Sequence, residues 1–202
     1  MTTTTVETPH GPARAELHCS EEGRAALLLG HGAGGGLAAP DLVATTRAAT
    51  AAGVHVALVE QPYRVAGRRA PAPPAQVDAA WRAVAEHLHL AADRPLIVGG
   101  RSFGGRVACR TAADVGAAGV LCLAFPVHPP GRPEKSRLPE LVSVKVPALV
   151  VQGENDPFGV PDPETLPGNI TLAVVTGDHS LKKDAPAIRA AITSWLAALI
   201  PG

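Results

Sequence analysis

Residues 95–106 read Pro-Leu-Ile-Val-Gly-Gly-Arg-Ser-Phe-Gly-Gly-Arg. A short apolar run, Pro95–Gly99, enters a glycine-flanked serine, and a helical pattern, Phe103–Asp114, leaves it. The pentapeptide Gly100-Arg101-Ser102-Phe103-Gly104 fits G-x-S-x-G. In a sharp strand-to-helix turn the serine backbone is strained, and bulky neighbours would clash, so Gly100, Gly104 and Gly105 are the residues such a turn needs. The helix start behind Ser102 offers free backbone N–H groups and partial positive charge to a developing oxyanion. Alone, the pattern also fits an ordinary tight turn in a glycine-rich chain.

Working outward, five more apolar runs recur: Ala25–Gly30, Val54–Val59, Gly119–Phe125, Pro147–Gln152 and Ile170–Val175. They are rich in Val, Leu, Ile and Ala without clean alternation, as strands buried on both faces of a parallel sheet are. Helical patterns lie between them. Pro40–Ala52 stops at Gly53, Gln76–Ala91 spaces Val77, Ala80, Trp81, Val84 and Leu88 for one face, and Asp184–Leu199 does the same with Ile188, Ile192, Trp195, Leu196 and Leu199. Strand–helix alternation predicts right-handed crossovers and helices on both faces of a mostly parallel sheet of about six or seven strands. Ala13–Cys19 is a candidate edge strand. Residues 1–12 are expected to be a flexible segment ahead of a single domain, 13–202. Tyr63–Pro74 and Pro126–Pro139 read as loops, and at this length the second leaves room for little or no lid.

The chain has 202 residues, 46% of them apolar, enough for one packed core. Lys plus Arg and Asp plus Glu number 18 each, and aromatics are 3%. That balance carries neither the basic surface nor the stacking rings of a nucleic-acid binder. No apolar run has the length of a membrane span, and Met1–Pro12 lacks the pattern of a signal peptide, so a cytoplasmic setting is expected. The three cysteines, Cys19, Cys109 and Cys122, fit no metal spacing.

Three further turns carry chemistry, each after a predicted strand. His31-Gly32-Ala33-Gly34-Gly35-Gly36 follows the first, as a loop whose N–H groups approach substrate closely. It lacks the Gly-Lys-Ser/Thr of a phosphate loop. The oxyanion donors expected are the N–H groups of Ala33 and Phe103. Asp156, in Gly153-Glu154-Asn155-Asp156-Pro157-Phe158-Gly159, stands past a strand end at the ligand-binding edge of such sheets, with Glu154 as the alternative acid. His179, in Gly177-Asp178-His179-Ser180, follows the last strand. Asp178 is its neighbour, and adjacent residues orient each other poorly. Ser102, Asp156 and His179 come in the chain order of an α/β-hydrolase triad. Candidate substrate-binding residues are His31, Gly32, Tyr63, Arg64 and Arg101. Arg101 and Arg106 have structural ion pairing as their ordinary alternative, and His31 has the propping of its loop.

Taken together, His31-Gly-Ala-Gly-Gly, Gly100-Arg-Ser-Phe-Gly-Gly-Arg106, Asn155-Asp-Pro-Phe-Gly and Gly177-Asp-His-Ser-Leu181 resemble the small α/β-hydrolase family. That family takes in bacterial dienelactone-hydrolase-like proteins, a human testis-expressed protein and a regulatory subunit of the NSL histone-acetyltransferase complex. The resemblance runs from about Ala25 to the C-terminus. It implies an α/β-hydrolase fold with a compact, lidless hydrolase core. The triad and the short loops themselves point to a small acyl substrate, with no metal or organic cofactor needed. The resemblance also leaves open a binding module on the same scaffold, or acyl transfer to an acceptor other than water.

Overall fold

The computed structural model of the chain describes residues 1–88 and 93–200. Eight strands form one sheet: β1 (Thr2–Val6), β2 (Ala13–His18), β3 (Ala25–Gly30), β4 (Val54–Glu60), β5 (Leu96–Arg101), β6 (Gly119–Leu123), β7 (Ala148–Gly153) and β8 (Ile170–Val175). Their order across the sheet is β1-β2-β4-β3-β5-β6-β7-β8. From β4 to β8 all neighbours run parallel, whereas β1 and β2 pair antiparallel.

The α-helices among the described residues are α1 (Pro40–Ala51), α2 (Pro62–Val65), α3 (Pro74–His87), α4 (Phe103–Thr111), α5 (Leu138–Val142) and α6 (Ala185–Leu199). Those after a strand follow the alternation expected, because each buries one apolar face on the sheet. Val77, Trp81 and Val84 of α3 and Val107 and Ala108 of α4 cover one face. Leu42 of α1 and Ile188, Ile192 and Leu196 of α6 cover the other. The strands serve both layers at once. Ala25, Leu27 and Leu29 of β3 point to the second cluster and Ala26 and Leu28 to the first, so a continuous apolar run hides a strict period of two.

Four expectations are corrected. The sheet has eight strands, not six or seven. The extra one is β1, inside the segment expected to be flexible: a run of β-branched threonines pairs with β2 and ends on the fully buried Val6. Of the stretches read as loops, Tyr63–Pro74 begins inside a short helix, α2, whereas the stretch 126–139 stays a loop until α5 starts at Leu138. Strand β6 stops at Leu123, because Ala124 takes a left-handed conformation with φ of 49°. The expected extension of α3 to Ala91 lies outside the described residues, as does His89. Cys109 and Cys122 are buried with Sγ atoms 3.6 Å apart, and Cys19 is exposed. No helix among the described residues is long and apolar enough to cross a membrane.

Candidate active site

Ser102 sits between the C-terminal end of β5 and the first turn of α4, with φ 51° and ψ −109°. That conformation is costly for a residue with a side chain and persists only where its surroundings enforce it. They do so by close packing. A Cβ on Gly100 would lie 2.6 Å from the backbone of Gly104, and one on Gly104 would lie 2.5 Å from the carbonyl of Gly30. The Ser102 N–H donates to Leu123 O at 2.8 Å, tying the turn to β6.

The loop after β8 brings the imidazole of His179 to this serine, with Nε2 2.9 Å from Ser102 Oγ. Its Nδ1 lies 2.8 Å from Oδ2 of Asp156. Asp156 reaches it from the turn after β7, and its carboxylate side chain has no solvent exposure. An ionised carboxylate only accepts, so Nδ1–H donates to Asp156 and Nε2 is left to accept the serine proton. Glu154 and Asp178 are both exposed, and Asp178 is engaged with Ser180 instead.

Two residues without a sequence-stretch motif of their own complete this environment. Gln152, fully buried at the end of β7, donates through Nε2 to Asp156 Oδ2 at 2.8 Å. Phe158 donates its backbone N–H to Asp156 Oδ1 at 2.8 Å. Its ring also stacks on His179 with centroids 4.1 Å apart. A glutamine closing an otherwise apolar strand was the available signal for the first. The second stands inside the quoted Asn155–Gly159 stretch, which carries no signal of its contact with His179.

The loop after β3 faces the same turn. Neither the Ala33 nor the Phe103 N–H donates to a protein acceptor among the described residues. Tyr63, on α2, donates its hydroxyl to Ala33 O at 2.8 Å and is itself buried. Burial pushes its phenol up to about 12, so it stays a neutral donor. His31 is 1% exposed. Its Nδ1 donates to Gly32 O at 2.7 Å and its Nε2 accepts the Gln61 N–H at 3.1 Å. Desolvation lowers its pKa below the ordinary histidine value, which keeps it neutral.

These contacts revise the substrate-binding candidates. His31, Gly32 and Tyr63 are buried and hold the loop from behind. Arg64 is half-buried and donates to Arg68 O. Arg101 places its Nε 2.9 Å from Asp41 Oδ2, a charge contact outside hydrogen-bond geometry, and donates through Nη2 to the carbonyl of His179 at 3.0 Å. Arg106 forms a bidentate pair with Glu140 of α5. In Arg101 and Arg106 the internal partners take donors that an anionic substrate would need, whereas the Nε of Arg64 has no partner among the described residues.

A sequence model described as an alpha/beta hydrolase domain matches residues 23–192. The chain belongs to the α/β-hydrolase family. Among solved structures, this hydrolase-family chain is similar to XC6422 of Xanthomonas campestris, described as an α/β serine hydrolase without a lid. The two share 24% identity at a TM-score of 0.77, over 100% of this chain and 95% of that one. An α/β serine hydrolase homologue from Coxiella burnetii superposes with a TM-score of 0.80 at 18% identity, covering 97% of each chain. A thermophilic esterase from Thermogutta terrifontis gives 0.73 at 16% identity, over 99% of this chain and 100% of that one. No curated protein matches the chain. The fold shared with these structures is the α/β-hydrolase core.

Proposed function

We propose that this chain is a serine hydrolase that cleaves an ester or related acyl bond of a small molecule through an acyl-enzyme. The observation that carries the reading is the unbroken hydrogen-bonded line from Ser102 Oγ through His179 to the buried Asp156, starting at a strained residue on a helix N-terminus.

In this reading His179 Nε2 accepts the Ser102 proton as Oγ attacks the acyl carbonyl. The carbonyl oxygen takes the resulting negative charge and receives the free N–H groups of Ala33 and Phe103. Asp156 holds the imidazole in the Nδ1–H tautomer and stabilises its charged form. The imidazolium then returns the proton to the leaving alcohol as the tetrahedral species collapses to the acyl-enzyme. Water, deprotonated by His179, adds to the acyl carbon. The second collapse releases the carboxylic acid and restores Ser102. Every step uses protein groups and water. The esterase name of the Thermogutta terrifontis neighbour and the resemblance of Gly100–Arg106 to dienelactone-hydrolase-like proteins support the same reaction class.

Hydrolysis of short p-nitrophenyl esters by the wild type and by Ser102→Ala tests the reading. Loss of about three orders of magnitude or more in kcat/KM is expected on removing a triad nucleophile. Equal rates for the two proteins would overturn it.

A further inference from the structure

Arg101 precedes the proposed nucleophile directly, and its guanidinium reaches three segments that surround the site. Nε lies 2.9 Å from Oδ2 of Asp41, whose side chain has no solvent exposure. Nη2 donates to the backbone carbonyl of His179 at 3.0 Å. Nη1 lies so close to Gly32 that a Cβ there would be 2.9 Å from it. The planar fork of an arginine can make such contacts simultaneously, whereas an ammonium offers a single point charge.

The loop that carries His179 is anchored by Leu181, 1% exposed in the core, and by the contacts of the imidazole itself, but its backbone makes few hydrogen bonds to the body of the protein. It contains two left-handed residues, Gly177 and Leu181, with φ of 136° and 50°. The bonds from Ser180 and Leu181 to Asp178 are internal to the loop. The Asn155 N–H donates to Gly177 O at 2.9 Å and links the start of the loop to the turn that bears Asp156. At His179 itself, the backbone carbonyl is held by Arg101. Because Arg101 is bonded to Ser102, this hydrogen bond fixes the histidine relative to the serine rather than to a distant element. Asp41 stops the guanidinium from swinging away. It starts α1, and its other oxygen accepts the Leu42 N–H at 2.9 Å. Burial alone raises the Asp41 pKa, and the adjacent guanidinium opposes that rise.

We propose that Arg101, clamped by Asp41, is a positioning residue that sets the imidazole of His179 against Ser102. The role rests on the serine-hydrolase reading above. It differs from a substrate ligand, which would act on KM for anionic substrates. It differs also from a plain charge partner for Asp41, which would act on stability alone.

Three variants separate these roles. Arg101→Met alone leaves the Asp41 carboxylate buried without its cation, and such a protein can fail to fold. The double variant R101M/D41N removes both charges and keeps an oxygen for the Leu42 N–H. D41N alone keeps the bond from Arg101 to His179. R101K keeps the charge but reaches one partner at a time. With a neutral short-chain ester, kcat of the double variant is expected to fall roughly 30- to 100-fold, the scale of a 1 Å misplacement of reacting groups. KM should stay within about threefold and the melting temperature within a few degrees, as for a neutralised and still packed site. R101K should fall between the double variant and the wild type, and D41N should lose less than either. Wild-type kcat in a folded double variant would overturn the proposal, as would a double variant no slower than D41N. So would a rise in KM alone, confined to anionic esters.

The NMR signals of the His179 ring provide a readout that needs no turnover. One sharp set is expected in the wild type and a broadened or shifted set in R101M/D41N. Should the wild type hydrolyse nothing, the functional reading fails by itself, and an unchanged ring signal in the double variant would then overturn the positioning role.

Discussion

The side-chain amide of Gln152 and the imidazole of His179 meet on one oxygen of Asp156, each 2.8 Å from Oδ2. The same amide lies within hydrogen-bond distance of Phe125 O and Gly159 O, so a single fully buried side chain joins the end of β6, the turn after β7 and the carboxylate. Gln152→Leu keeps the volume and removes the donors, leaving buried acceptors unpaired. A loss of about 2 kcal/mol in unfolding free energy is expected from denaturant titration. A fall in kcat of roughly tenfold is expected beside it, because Asp156 loses one of the bonds that orient it.

Phe158 stacks on the other side of the imidazole. Phe158→Ala leaves its backbone bond to Asp156 in place and removes the ring. Aromatic contacts of this kind contribute about 0.5–1.5 kcal/mol, so kcat/KM for a short ester should drop roughly two- to tenfold. A variant as active as the wild type would show that the stacked ring does not steady His179.

Tyr63→Phe deletes one hydrogen bond, from the hydroxyl to Ala33 O. The loop that offers the Ala33 N–H then loses its support at that residue. A neutral hydrogen bond of this type is worth about 1 kcal/mol. Steady-state kinetics should therefore show about a fivefold loss in kcat, with the circular dichroism spectrum unchanged.

Gly104→Ala places a methyl group 2.5 Å from Gly30 O and 2.8 Å from His31 O, both backbone atoms that cannot step aside cheaply. Overpacking of this kind costs about 3 kcal/mol. The melting temperature should fall by several degrees, and activity should fall with it, because the strain is relieved at the elbow and the loop beneath it.

His31 gives the chain a pH dependence of known sign. Its folded pKa lies below the ordinary histidine value of about 6.5 because burial disfavours the charged ring. Below pH 6.5 the unfolded chain therefore binds more protons at this site than the folded one. Stability is fully present above that pH and declines as pH falls toward the folded pKa. Urea unfolding of the wild type and His31→Gln at pH 5 and pH 7 should give a larger loss on acidification for the wild type. The opposite order would contradict the burial argument.

The parallel core was legible because each strand carries an uninterrupted apolar run, and turns between them hold glycine or proline. The proposed triad side chains were legible for a related reason: each stands one turn past a strand end, where the topology gathers them. Strand β1 was not legible. Four threonines carry no hydrophobic alternation, and only pairing with β2 makes them a strand. Asp41 lies within the helical pattern Pro40–Ala52, and its tie to Arg101 depends on α1 crossing over the end of β5. The propping of its loop was a reading that the place of His31 directly after β3 offered, whereas sequence position does not reveal that Tyr63 supports the same loop from behind. Gln152 looked like the polar end of a strand until the turn after β7 was seen to fold back over it.

The most direct measurement is reaction of the folded wild-type protein with a fluorophosphonate probe, followed by peptide mapping. The account predicts one adduct, on Ser102, formed slowly or not at all in His179→Ala. A folded protein that takes up no probe, or carries it elsewhere than at Ser102, would contradict it.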